Sequence, residues 1–135
     1  MKTLTVPAKL DELDHVLDFI NAELEANDCP MKTQVQIAIA VEEIFVNIAH
    51  YAYPPKEGEA IIGCLFHEEP RAVEISFVDR GVPYNPLEKK DPDVTLGAEE
   101  RQVGGLGIFM VKKSMDEVAY NYVNDKNVFI IKKLL

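Results

Sequence analysis

The chain contains 135 residues, of which 47% are hydrophobic and 27% are charged, and it carries a formal net charge of −9. This length and composition are typical of one globular domain with its own apolar core, and they exclude a disordered or fibrous chain. The net negative charge disfavours direct binding to nucleic acid or to an anionic membrane.

The first part of the chain predicts a short strand followed by two helices. Residues 2–6 alternate and are rich in β-branched side chains, which indicates a strand that ends at Pro7. Apolar residues then recur at helical spacing over residues 10–24. A second helix is predicted over residues 32–51, before a Pro-Pro pair. This helix is apolar on nearly every side, so we expect it to be central and buried.

From residue 59 onward the hydrophobic period changes to two. Residues 60–67 and 72–79 are strand-like, and the short segment between them predicts a hairpin turn. Residues 82–103 contain Pro, Gly and charged residues without a clear period, so we predict a long loop there. Loops of this length inside compact domains are typically functional lids or disordered segments.

The last third of the chain predicts a helix and a closing hairpin. The helix covers residues 105–116, and strands at 118–123 and 128–134 flank a turn at 124–127. The resulting order, βααββ-loop-αββ, predicts an α+β fold. We expect a two-layer α/β sandwich with a mixed, mostly antiparallel sheet and its helices on one face, and residues 1–135 should form a single domain.

Acidic residues are concentrated in residues 1–60, which contain eleven Asp or Glu against four Lys and no Arg. The excess favours a basic protein partner, and a solvated face that only aids solubility explains it equally well. Cys29 and Cys64 match no metal or redox spacing and are expected to be buried thiols in a reducing cytoplasm. Neither a signal peptide nor a membrane-spanning stretch is recognised, so we expect a cytoplasmic protein.

Two polar side chains interrupt the most hydrophobic predicted helix. Glu43 and Asn47 are four residues apart and therefore lie on one helix face. In a buried helix they must be paired with other polar groups or point into a wet cavity. Asn offers a neutral oxygen to Mg²⁺, and Glu can accept a proton from a hydroxyl or from water. The alternative is that both are core polar residues that satisfy backbone groups of loops.

Two further segments contain residue types that suit a nucleotide. Asp79-Arg80-Gly81 follows a predicted strand, where the acid can accept the exocyclic amine of adenine and the glycine lets the ring approach the backbone. A plain turn is the alternative for this segment. The segment at residues 104–107 (GGLG) opens a helix whose exposed N–H groups and dipole favour an anion. A flexible hinge with a glycine helix start is the alternative there.

Taken in order, these segments resemble the motifs of the GHKL ATPases, the family of gyrase, Hsp90, histidine kinases and MutL. Residues 43–53 (EIFVNIAHYAY) resemble the N box, residues 79–86 (DRGVPYNP) the G1 box, and residues 104–108 (GGLGI) the G2 box. The chain is most similar to the stand-alone bacterial anti-sigma factor serine kinases, and the resemblance extends over nearly its whole length.

The resemblance implies a Bergerat-type fold that binds ATP between the central helix and a lid formed by residues 87–103. It implies that Asn47 coordinates Mg²⁺ and that Glu43 acts as the general base on the incoming hydroxyl. It also implies that Asp79 binds the amino group of adenine and that Gly81 passes under the base.

Further binding residues are implied by the same resemblance. Many family members have a Gly-Thr pair before the last strand; Lys126-Asn127 stands there in this chain, and Asn127 can donate a comparable hydrogen bond. Lys89, Lys90 and Arg101 of the lid either reach the γ-phosphate or belong to a solvated lid surface. The phosphates are implied to contact the glycine-rich segment, namely Gly104, Gly105, Leu106 and Gly107.

The implied function is that of an ATP-binding anti-sigma factor and serine/threonine protein kinase. Such a transferase moves the γ-phosphate of ATP to a hydroxyl of an anti-anti-sigma (STAS) partner, and it regulates a sigma factor. ATP and Mg²⁺ are the implied cofactors, and a homodimer is also implied. Because the first predicted helix carries acids and no Arg for partner contacts, a nucleotide-dependent protein-binding switch without productive phosphotransfer is the main alternative. A simple ATPase is a third.

Overall fold

Strands and helices form in the segments where the sequence period predicts them, and the predicted element order is confirmed. The computed structural model describes residues 1–88 and 105–135. Short 3₁₀ turns at Leu10–Glu12 and Pro86–Glu88 accompany the longer elements. In chain order these elements are β1 (Lys2–Pro7), α1 (Leu13–Ala26), α2 (Met31–Tyr51), β2 (Glu59–Glu68), β3 (Arg71–Asp79), α3 (Gly105–Ser114), β4 (Glu117–Val123) and β5 (Lys126–Leu134).

The strands form one sheet in the order β1-β2-β3-β5-β4, and every neighbouring pair in it is antiparallel. The predicted two-layer α+β architecture is confirmed. The expectation of a mixed sheet was wrong in one respect, because no two neighbouring strands among those described are parallel. The reason lies in the order of the strands: β4 does run parallel to β3, but β5 lies between them.

β2 shows how the two faces of the sheet differ. Ala60, Ile62 and Cys64 are buried beneath the helices, whereas Ile61 points to the opposite face and is 40% exposed. The alternation of the strand therefore places its apolar residues against the helical layer, as the period-two pattern predicts.

α2 is the central helix, and its inner face carries the core residues Ile37, Val41 and Phe45, all fully buried. Its outer face differs from the expectation of burial on nearly every side, because Val35 and Ile39 are 49% and 58% exposed. Only one layer of helices covers the sheet, so the side of α2 that faces away from the sheet receives no second layer from the described residues.

The closing hairpin is tighter than predicted. Asn124 and Asp125 have φ angles of 52° and 60° and form a two-residue turn, in which Val123 pairs with Lys126. Left-handed conformations at both central positions are typical of the type I′ turn that matches strand twist. Asn127 therefore lies inside β5 instead of in the turn.

The two cysteines differ in environment. Cys64 is buried, as expected, and burial raises the pKa of its thiol to about 12. Cys29 is only half-buried, because it lies in the connection between α1 and α2 at the edge of the helical layer. Across the described residues, the helices fall short of the length and apolar character that a bilayer crossing demands.

Candidate functional site

A cleft opens beside the C-terminal half of α2, next to the ends of β3 and β5. Three polar side chains with hydrogen-bonding amide or carboxylate groups lie in its wall: Asn47 of α2, Asp79 of β3 and Asn127 of β5. The rest of the wall is largely apolar, with aliphatic and aromatic side chains that include Ile44, Ile48, Val82, Ile108 and Phe129. A mostly apolar cleft with a few convergent polar groups is typical of a small-molecule site.

Asp79 is the buried carboxylate of this cleft, with 5% of its surface exposed. One oxygen, Oδ1, accepts a hydrogen bond of 2.9 Å from the backbone N–H of Gly81 and another of 2.9 Å from the side chain of Asn127. Burial raises the pKa of the Asp79 carboxyl above its usual value, and these two hydrogen bonds oppose that rise. Because both bonds use Oδ1, the second oxygen is not engaged by them.

Asn127 connects the parts of the cleft wall. It stands opposite Asp79 in the β3–β5 ladder, and its Nδ2 donates to Oδ1 of Asp79 and to the carbonyl of Val82, both at 2.9 Å. Its Oδ1 accepts the backbone N–H of Tyr84 at 3.1 Å and the hydroxyl of Tyr120. An amide nitrogen has two hydrogens, so both are donated to protein acceptors.

Gly81 lies against the C-terminal end of α2. A Cβ added at Gly81 would overlap the backbone carbonyl of Ala52, and the next residue, Val82, donates its N–H to that carbonyl at 2.9 Å. The described contacts therefore require a glycine here for the approach of loop to helix. The approach of a planar ring, which the sequence suggested, is a separate reason that stays a prediction.

Glu43 and Gly107 meet where α2 packs against α3. A Cβ added at Gly107 would overlap the Glu43 carboxylate, so the glycine leaves the space that this side chain occupies. Glu43 is half-buried and lies beside the first turn of α3, where unpaired backbone N–H groups and the helix dipole favour negative charge. Glu43 itself is not one of the residues that line the cleft.

Asn47, one turn further along α2, does line the cleft. Its Nδ2 is buried and makes no hydrogen bond to any of the described residues. A half-turn about the Cβ–Cγ bond exchanges Nδ2 with Oδ1, so the same position can offer a donor or an acceptor. A buried amide without a partner is costly, and such groups typically mark a site where a ligand completes the hydrogen bonding.

Aromatic side chains that the sequence analysis did not select also line the cleft. The rings of Tyr51 and Tyr84 are stacked, with centroids 5.3 Å apart and planes inclined by 28°, and Tyr51 is 42% exposed. Tyr120 faces the cleft from β4 and donates to Asn127. Tyr51 follows Asn47 by four residues on α2, so helical spacing could have identified it as a neighbour on the same face.

The glycine-rich segment and the lid are described only in part. Gly105 begins α3, with Leu106 and Gly107 in its first turn, while Gly104 lies outside the described residues. Most of the predicted lid, with Lys89, Lys90 and Arg101, also lies outside them. Within residues 1–88 and 105–135, no three His, Cys, Asp or Glu side chains converge in a way that could hold a metal ion.

The fold itself has a counterpart among solved structures. A chain in the crystal structure of the SiaB–SiaC complex from Pseudomonas aeruginosa superposes with a TM-score of 0.64, covering 100% of this chain and 90% of that chain. The sequences are 13% identical, so this similarity shows the fold alone. Fold and cleft together define a two-layer α+β domain with a candidate small-molecule site beside its central helix.

The sequence places the domain in a family. The model of the histidine kinase-like ATPase domain family matches residues 6–133, so the chain belongs to that family. The resemblance to the GHKL ATPases that the motifs indicated is therefore confirmed.

Individual relatives share only part of their sequence with this chain. The chain is 31% identical over 100 residues to "Serine-protein kinase RsbW" of Listeria monocytogenes serovar 1/2a, a match that covers 70% of this chain and 61% of the relative. It is 30% identical over 95 residues to "Serine-protein kinase RsbW" of Oceanobacillus iheyensis, covering 63% of this chain and 56% of that protein. The matched region thus spans about three fifths of the length of these relatives.

Proposed function

We propose that the cleft binds ATP and that the Asp79 carboxylate accepts the amino group of adenine. The observation that carries this proposal is a pair of polar groups that the protein alone leaves incompletely used: the buried Asp79 carboxylate and the buried Nδ2 of Asn47. Both line one apolar cleft in a chain of an ATPase-domain family. A ligand with an amine at one end and a metal-bound phosphate at the other would satisfy both groups.

The arrangement of α2 and α3 supports an orientation for the nucleotide. Asp79 lies at the end of β3, whereas α3 presents its N-terminal turn beside Glu43. Helix N-termini bind phosphate through unpaired N–H groups, so we assign the phosphates to the start of α3, with Gly105, Leu106 and Gly107 and with Gly104 before them. The stacked Tyr51 and Tyr84 then lie on the cleft wall, within reach of the base or the ribose.

Asn127 has a positioning role in this proposal. Its amide hydrogens are already donated to Asp79 and Val82, so it holds the adenine-binding carboxylate instead of contacting the nucleotide directly. This assignment modifies the role that the resemblance implied for Asn127.

Mg²⁺ fits the site as a companion of the nucleotide. The Nδ2 of Asn47 is the buried, unpartnered atom on the wall, and a half-turn of the amide would put its oxygen there to coordinate the ion. Since the described residues contain no cluster of metal-binding side chains, the other ligands would come from phosphate and water. When bound, the ion would neutralise the charge of the phosphates.

Calorimetric titration of ATP and GTP, with and without Mg²⁺, tests the binding proposal. We expect Mg²⁺-dependent binding of ATP and weaker binding of GTP by about tenfold or more, because guanine places a carbonyl acceptor where adenine has its amine. Equal affinity for the two nucleotides would remove Asp79 from base recognition. Absence of ATP binding would contradict the proposal as a whole.

We further propose that the domain is a serine/threonine protein kinase. The hydroxyl oxygen of a protein substrate would form a bond to the γ-phosphorus, the bond from that phosphorus to the β,γ-bridging oxygen would break, and the hydroxyl proton would pass to Glu43. Support comes from the position of Glu43 beside the start of α3 and from relatives named serine-protein kinase. In line with the resemblance, the substrate would be an anti-anti-sigma STAS protein and the regulated partner a sigma factor.

A nucleotide-dependent binding switch without phosphotransfer is the second candidate. It is favoured by α1, which has several acids and no Arg for partner contacts. Transfer of label from γ-labelled ATP to a small protein of the native extract distinguishes the two functions. A kinase gives a labelled band that Glu43→Gln abolishes while ATP binding persists. No band despite ATP binding supports the switch, and a band that survives Glu43→Gln would remove Glu43 as the base.

A further inference from the structure

A stripe of exposed apolar side chains runs along the outer face of α2, away from the cleft. Met31, Val35 and Ile39 are 69%, 49% and 58% exposed. They are four residues apart and therefore line up on one side of the helix. Single exposed apolar residues are ordinary, but an aligned set covering three turns is a surface that typically contacts another molecule.

The stripe forms one wall of a groove between α1 and α2. The opposite wall is Leu17, Asn21 and Glu25, again at four-residue spacing. The buried Gln34 joins the walls, because its Nε2 donates to Oδ1 of Asn21 and to Oε1 of Glu25, both at 3.3 Å. The two helices are thus linked by specific hydrogen bonds at the groove, which shares no residue with the ATP cleft.

The rim of the groove is acidic. Glu25 and Glu42 are exposed at its edges, and Asp14 and Asp18 are exposed on the flank of α1. Lys32 is the only Lys or Arg between residues 10 and 50. An apolar wall with a negative border matches a ligand that has an apolar stripe bordered by positive charges.

We propose that this groove is a docking site for a cationic amphipathic helix of a protein partner. The partner helix would place aliphatic residues on Met31, Val35 and Ile39 and would direct Lys or Arg towards Glu25 and Glu42. The inference rests on the proposed function in one respect, that the domain acts through protein partners. It assigns that contact to a surface separate from the nucleotide and gives the chemistry of the partner.

Charge opposes two other occupants. A second copy that placed its stripe on this one would also bring its own exposed Glu25 and Glu42 against the same acidic rim, so like charges would meet. Anionic lipid headgroups would face the same acidic rim. A basic protein helix satisfies both the apolar and the charged part of the groove.

The probe for the test is a labelled synthetic peptide of about 18 residues, five helical turns, with Leu at helical spacing and Lys elsewhere. A second peptide keeps every Leu and replaces Lys with Glu. Fluorescence anisotropy with the full chain should show binding of the Lys peptide only. Val35→Asp should weaken that binding by about tenfold or more, since a buried charge at the centre of an apolar contact is strongly unfavourable. Ile61→Asp is the matched control, because Ile61 is also apolar and 40% exposed, against 49% for Val35, but lies on the opposite face of the sheet.

The outcomes separate this proposal from the ATP proposal. Peptide binding that Val35→Asp abolishes and Ile61→Asp leaves unchanged, with ATP titration normal in both variants, supports the groove. Equal binding of the Glu peptide, or no effect of Val35→Asp, overturns it while leaving ATP binding intact. Sedimentation analysis that shows Val35→Asp converting a dimer into a monomer also overturns it, because a second copy would then occupy the groove. If the wild-type chain does not bind ATP, that result contradicts only the proposed nucleotide site.

Discussion

Asn127 donates a hydrogen bond of 2.9 Å from its side chain to Oδ1 of Asp79, across the ladder between β3 and β5. The two residues are 48 positions apart in the chain, yet they are directly opposite each other in the sheet. The contact explains how a buried carboxylate keeps one orientation in an apolar cleft. It also makes the orientation of the carboxylate depend on a residue whose own amide hydrogens are donated to protein acceptors.

Replacing Asn127 should therefore weaken ATP binding through Asp79. Asn127→Ala removes one of the two hydrogen bonds to Oδ1 of Asp79 and takes the Asn127 partner away from the Val82 carbonyl and the Tyr84 N–H, which should cost about 1–3 kcal/mol of unfolding free energy. Asn127→Asp should be worse, because a second carboxylate would face Asp79. Urea unfolding and ATP titration measure the two effects. The matched control is Asn121→Ala, an exposed asparagine on neighbouring β4, and equal losses in control and variant would contradict the positioning role.

Asp79 should make the chain less stable at neutral pH than at mildly acidic pH. Burial raises its pKa above the ordinary value of 3.8, so the folded state holds this proton more tightly than the unfolded state does. Between the unfolded and the folded pKa, stability from this group is lost as the pH rises, and above both values the loss is complete. Asp79→Asn removes the ionisation. Because a neutral amide is less costly to bury than a carboxylate, the substitution should raise the unfolding free energy at pH 7 by about 0.5–1 kcal/mol.

The same substitution should abolish ATP binding. An Asn side chain that accepts from Asn127 and Gly81 through its oxygen turns its NH₂ group towards the ligand, where two donors would meet the adenine amine. Urea unfolding at pH 7 and at pH values lowered towards 3.8, the ordinary pKa of an Asp carboxyl, measures the stability difference, which should shrink as the pH falls. A variant that is less stable than the wild type at pH 7, or that still binds ATP, would contradict this account.

Much of the fold could be read from the sequence, because it depends on local signals. α2 begins one residue before the prediction and ends at the predicted residue, since Pro30 and the Pro54-Pro55 pair bracket it. The closing turn was predicted two residues too long, because it requires left-handed φ at both Asn124 and Asp125, which an Asn-Asp pair indicates less strongly than Asn-Gly.

The contacts within the site depend on distant pairing and could not be read in this way. The motifs identified Asp79 and Asn127 as separate candidates, and only the β3–β5 register shows that one holds the other. Similarly, Gly107 suggested a phosphate loop, whereas the structure adds a steric reason for glycine, the carboxylate of Glu43. Such reasons arise from how α2 packs on α3, which no local pattern encodes.

The Glu43–Gly107 contact predicts that the effect of Gly107→Ala on stability changes sign when Glu43 is replaced by Ala. Gly107→Ala places a methyl group in the space of the Glu43 carboxylate, whose flexible side chain must turn aside, and should cost about 0.5–1.5 kcal/mol of stability. In a Glu43→Ala background the space is free, and alanine should then stabilise α3 by about 0.5–1 kcal/mol relative to glycine. A double-mutant cycle from urea unfolding measures the coupling. Additive effects of the two substitutions would show that the side chains do not compete for space.

Asn47→Ala should lower the affinity for ATP without lowering the stability of the ligand-free protein. The Nδ2 of Asn47 is buried and lacks a partner among the described residues, so its removal takes away a group whose desolvation costs about 1–3 kcal/mol when unpaired. We therefore expect the ligand-free variant to be at least as stable as the wild type, in contrast to most substitutions of buried polar residues. Its affinity for ATP should fall, and the remaining affinity should no longer increase when Mg²⁺ is added, if the Asn47 oxygen is a ligand of the ion. Urea unfolding without nucleotide and calorimetry with and without Mg²⁺ give the two readouts.

A clear loss of ligand-free stability in Asn47→Ala would show that the amide already has a structural partner. Unchanged dependence of ATP binding on Mg²⁺ would place the ion elsewhere.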